Sequence, residues 1–168
     1  STAVFLSPDV FARAEQPTAW LPLAKKGTVT RIVGWLYLKD EWAKSHPIFE
    51  GLQSGGLMDY TFYGDLIPDA LYAGQEPPAE AVAGSNKASQ GYDSGLMVSV
   101  YALGQGRFIL NTLRIRETLP SNPVAGRLLL NLLRYAGKDS ALPVAPLPAD
   151  IEQQLDAMVK HAVAMKRG

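Results

Sequence analysis

The 168-residue chain has no cysteine. That absence removes three chemistries at once: a disulfide framework, a thiolate metal site and a cysteine nucleophile. There are only two histidines, His46 and His161, so an imidazole-rich metal cluster has little to build on. Charge of one sign is also lacking. Sixteen Lys and Arg balance sixteen Asp and Glu, and no basic stripe interrupts the balance. A nucleic-acid binder needs surplus cations to displace counterions from phosphates, so no nucleic-acid partner is expected. No apolar run approaches the roughly 18 residues of a membrane span, and no membrane role is expected. No cofactor motif is present. Gly104-Gln105-Gly106 lies between two strand-like runs rather than before a helix, so a dinucleotide-binding turn fails on context.

What is present is a globular composition, 47% apolar and 19% charged, at the length of about one domain. Ala3–Leu6 reads as a buried strand, and Ser7-Pro8 as the capped start of a short helix. This abrupt strand start without a leader leads us to expect a piece of a longer protein. Thr28–Leu38 is rich in β-formers and is expected to hold one or two strands. Asp40–Ser45 is expected as a helical turn. Ala73–Gly91, dense in Ala, Gly, Pro and Ser, is expected as a long surface loop. Gly95–Leu103 and Arg107–Leu113 are β-rich runs across a glycine turn, the pattern of a hairpin. Asn122-Pro123 caps a helix with a leucine stripe that runs to Tyr135 and stops at Gly137. Residues 138–148 read as a Pro-rich linker and 149–168 as a C-terminal amphipathic helix, leaving 1–137 as the folded domain.

Several of these segments together resemble a known family. His46-Pro47-Ile48-Phe49-Glu50-Gly51-Leu52, the strand around Gly106-Arg107-Phe108-Ile109-Leu110-Asn111-Thr112-Leu113 and the helix through Arg127–Ala136 are similar to elements of the glutamine-amidotransferase-like C-terminal domains of bacterial glycoside hydrolase family 2-like proteins. Gly56–Tyr60 with Tyr63, Ile67 and Pro68 fits the same pattern, so the resemblance spans about Ala3–Ala136. It implies an α/β, flavodoxin-like, mainly parallel sheet flanked by helices, truncated at the N-terminus, with the hairpin as an antiparallel addition. It also implies a parent glycosidase, β-galactosidase-like, that is periplasmic or secreted. The amidotransferase nucleophile is a cysteine, which this chain lacks, so a non-catalytic accessory module serving interdomain packing or oligomerisation is the expected role. Its partner would be the remainder of a larger glycosidase-like polypeptide or another subunit.

Two other functions stay open. As an enzyme, the chain would use Asp59 or Asp65, which sit among aromatics as sugar-cleaving carboxylates do, or His46 as a base near neutral pH. The blander reading makes the aspartates turn caps and His46 a loop residue bonded to backbone. As a carbohydrate-binding module, it would offer Trp35, Trp42 and Tyr60 as a stacking platform, with Trp20 as a further indole. Such residues more often belong to a core. Arg114, Arg116 and Glu117 suit an anion site or, preferably, a salt-linked strand end.

Overall fold

The computed structural model describes residues 1–33, 39–88, 91–138 and 143–165. Strand β1 (Thr2–Phe5) leads into a 3₁₀ turn at Pro8–Phe11, capped by Ser7 as its sequence demands. Then come β2 (Lys26–Arg31), β3 (Asp40–Ala43), a second 3₁₀ turn at Pro47–Phe49 and the short β4 (Gly56–Leu57). A single helical turn, α1 (Tyr60–Tyr63), precedes β5 (Ala70–Gln75), β6 (Glu80–Ala88), β7 (Tyr92–Leu103) and β8 (Gly106–Asn111). Helices α2 (Ile115–Thr118), α3 (Pro123–Ala136) and α4 (Ile151–Met165) close the order.

The strands form one open eight-stranded sheet whose path runs β1-β8-β7-β6-β3-β4, with β2 joined through β5. The twelve-residue β7 is its spine. One edge pairs with β6, and the other pairs with β8 and, at Leu96, with β5. All pairings are antiparallel except β1 with β8. The protein is therefore mixed α/β with a mostly antiparallel sheet, which corrects the expectation of a mainly parallel one. β6, β7 and β8 follow one another with only a few residues between them, which suits antiparallel pairing, whereas the parallel β1 and β8 stand near opposite ends of the chain and have room for the long crossover that parallel neighbours need. The hairpin stands where expected. Leu103 pairs with Gly106, and Gly104 takes φ +54°, the positive value a tight turn needs.

Two sequence expectations fail for a common reason. Asp40–Ala43 is a strand, not a helical turn, and Ala73–Gly91 is mostly strand rather than loop. Small residues carry little intrinsic β-preference, but what counts in a sheet interior is fit between neighbours. Ala83, Gly84 and Ser85 are all buried between β3 and β7. β6 also shifts register twice against β7, around Ala83. This places Val82 and Met97 beyond the regular ladder and turns both into the core.

The sheet buries both faces, as alternation along β8 makes plain. Ile109 enters the larger core, roofed by Leu128, Leu132 and Ala125 of α3. Its neighbours Phe108 and Leu110 enter a second core with Phe11, Leu21, Leu23, Tyr72 and Tyr101. Helix α3 has the cap foreseen, with Asn122 Oδ1 accepting from the Val124 N–H at 2.9 Å. The linker segment 143–148 bears one isolated bridge, Ala145 to Gly104. α4 meets the body where Lys26 Nζ donates to Gln154 Oε1 at 2.7 Å and where Trp20 faces His161. No described helix is long and apolar enough to cross a membrane.

Candidate functional site

Three polar features stand out, and β3 organises two of them. Successive side chains of a strand point to opposite faces. Glu41 therefore turns to one face and Trp42 to the other.

On the Glu41 face lies a buried ion pair. Lys39 Nζ sits 3.2 Å from Glu41 Oε1, with side-chain exposures of 7% and 2%. The ammonium also donates to the Pro68 carbonyl at 3.0 Å and to Asp69 Oδ1 at 3.1 Å. Tyr60 completes the group by donating its hydroxyl to Glu41 Oε1 at 2.7 Å. Burial, and then the Glu41 carboxylate that accepts the bond, push the Tyr60 hydroxyl well above its usual range. A phenol so held remains protonated and serves as a donor.

The second feature joins the His46–Leu52 loop, the hairpin strand β8 and helix α3. His46 caps the 3₁₀ turn, its Nδ1 accepting from the Ile48 N–H at 3.2 Å. That bond assigns the ring proton to Nε2, which lies 2.6 Å from Glu80 Oε2. Tyr135 donates to the other Glu80 oxygen at 2.6 Å, and the Arg107 guanidinium stacks 4.4 Å from the Tyr135 ring. Burial alone would raise the Glu80 carboxyl. The hydrogen bonds from Tyr135 and His46, with the Arg107 guanidinium nearby, outweigh it and hold the group below its usual range. Burial and the Glu80 carboxylate push Tyr135 up to about 12. Asn131 of α3 donates to the Ile48 and Glu50 carbonyls at 3.1 and 2.9 Å, and Arg127 donates to Glu50 as well. The loop, hairpin strand and helix are thus one interlocked joint. With both ring nitrogens engaged, His46 has no lone pair free to take a substrate proton.

The third feature is a cleft on the Trp42 face. The register sets Trp42, Gly84, Leu96 and Tyr72 in one row across β3, β6, β7 and β5. Together with Tyr92 and Tyr101 they border a space of about 350 Å³.

The residues singled out from sequence are scattered by the fold. Asp59 caps α1, its Oδ1 accepting from the Thr61 N–H at 2.8 Å. Asp65 is exposed in the next 3₁₀ turn. Neither carboxylate is joined to His46 by a hydrogen bond. Trp42 borders the cleft, whereas Tyr60 is tied to Glu41 on the other face, so the two do not form one platform. Trp35 lies outside the described residues. Trp20 packs against the second core, with Arg13 over its ring, and takes no part in the cleft. Arg114, Arg116 and Glu117 are exposed and form no ion pair among the described residues. The described residues contain no group of three or more metal-ligating side chains of the kind that holds an ion. Sequence reasoning missed Lys39, Glu41 and Glu80. Glu80 sat in the stretch read as loop, and no local pattern distinguished the other two.

No family model matches the chain, and no curated protein matches it.

Proposed function

We propose that the chain is a non-catalytic accessory module that packs against the rest of a larger glycoside hydrolase-like protein or against another subunit. The observation that carries this reading is an open sheet edge beside an exposed apolar helix face. Strand β1 ends the sheet path and, among the described residues, pairs only with β8. An open edge is a template for a further strand. Helix α3 packs over β1 and leaves Leu130 and Leu133 exposed on one face. Leu119 joins them, since its Cδ1 lies near Gly126 one turn before Leu130. The parallel β1–β8 pair with α3 laid across it also supports the finer view that this corner belongs to a flavodoxin-like layer. The engaged ring of His46 and the capping role of Asp59 favour packing over bond cleavage.

Native mass spectrometry of the protein from its source tests the reading. The expected result is co-migration with a larger glycosidase-like polypeptide, abolished by Leu133→Glu, whose exposed site leaves the fold intact. An isolated 18.2 kDa species that hydrolyses aryl glycosides, and loses that activity in Asp59→Asn, would overturn it.

A further inference from the structure

We infer that the cleft between Trp42 and Tyr92 is a binding site for a neutral saccharide of one or two rings. The site lies on a different face from the elements used for packing, and the inference does not depend on that role.

The floor is aromatic by construction. At Gly84, directly opposite Trp42, a Cβ would lie 2.5 Å from Cζ2 and 2.9 Å from Cε2 of the indole. The absent side chain lets the indole lie against the sheet, where it borders the cleft. Tyr92, 70% exposed, offers a second ring at the border. C–H faces of pyranoses stack on such electron-rich rings. The next row, Asn86 opposite Ser94, adds an amide and a hydroxyl on the same face.

Charge narrows the ligand class. Among the described residues no Lys, Arg or His lines the cleft, so a phosphate or carboxylate would find no countercharge from them. Glu76, the one acid among the described lining residues, is engaged in accepting the Lys25 N–H at 2.9 Å. A cleft of about 350 Å³ lies at the small end of the range for ligand sites.

The test is isothermal titration and indole fluorescence on the full chain. The probes are methyl glucoside, methyl galactoside, methyl mannoside, cellobiose and lactose, with glucose 6-phosphate and a proline-rich peptide as controls. Saturable binding of at least one neutral sugar is expected, with the phosphate bound more weakly. Tyr92→Ala should weaken it at least about tenfold, a loss near 1.4 kcal/mol. Asn86→Ala, which removes the lining amide, should weaken it several-fold. Leu133→Glu should leave it unchanged, which separates this site from the packing surface. No saturation by any sugar at tens of millimolar, or binding that both cleft variants retain, would overturn the inference. Preference for the peptide would overturn it too and make the cleft a polyproline groove.

Discussion

Trp42 rests on Gly84. The two are paired across β3 and β6, and a methyl group at Gly84 would stand 2.5 Å from the indole and 2.6 Å from the Gly95 carbonyl oxygen. Neither neighbour yields cheaply, since one is a ring wedged on the sheet and the other is backbone. Gly84→Ala is expected to cost about 1–3 kcal/mol and to shift the indole emission. Thermal denaturation followed by tryptophan fluorescence checks both. An unchanged melting temperature would mean that the indole stands off the sheet.

Glu80 links stability to pH. Its carboxyl is held below the ordinary value of 4.5 by the bonds from Tyr135 and His46. A depressed folded-state value adds stability above the unfolded-state value, and that gain disappears as pH falls through the folded-state value. Glu80→Gln should therefore melt below the parent at neutral pH. The gap should narrow progressively as pH drops below 4.5. Tyr135→Phe should cost about 1–2 kcal/mol by removing one hydrogen bond to a charged group. A gap that widens in acid would contradict the sign.

The Lys39–Glu41 pair is a double-mutant problem. With both side chains more than nine-tenths buried, Lys39→Met leaves Glu41 uncompensated and is expected to cost about 3–5 kcal/mol. Glu41→Gln strands the ammonium less severely, because the Pro68 carbonyl and Asp69 still accept from it. The double variant Lys39→Met/Glu41→Gln should be less destabilised than the sum of the two. Urea denaturation of the four proteins measures the coupling, and simple additivity would refute it.

Asp59 distinguishes a cap from a catalyst. Asp59→Ala should cost about 1 kcal/mol, whereas Asp59→Asn should be nearly neutral because asparagine caps as well. Equal losses in both variants, read from chemical denaturation, would show that the charge itself matters.

Tyr72→Phe should be neutral or stabilising, by up to about 1–2 kcal/mol, since it removes a buried hydroxyl that has no partner among the described residues. Destabilisation of that size instead would reveal a bonded water.

Elements with local rules were legible in the sequence. Asn122-Pro123 and Gly137 bracket α3, Ser7-Pro8 opens the first turn, and the hairpin turns on Gly104. Caps and tight turns are set by neighbours a few residues apart, so the residue types suffice. The structural alternative for His46, an imidazole bonded to backbone, also lies within that short range. β6 was not legible, because Ala83, Gly84 and Ser85 become a strand only once Trp42 and Glu41 of β3 and the residues of β7 lie beside them. The same holds for Asp40–Ala43, whose polar opening gives no strand pattern until Lys39 and Tyr60 engage Glu41.

By itself, then, the sequence determined the chemistry on hand and the local stops and starts: no thiol, balanced charge, capped helices and one hairpin. Only the tertiary structure decided which residues meet. Strand direction depends on how distant segments pair, so the mostly antiparallel order of the sheet waited for the fold. Side-chain direction along β3 then set Trp42 and Tyr60 to different faces and brought Trp42 to Tyr72, thirty residues away in sequence, on a single row. No local pattern encodes that row, because each of its four positions lies on a different strand.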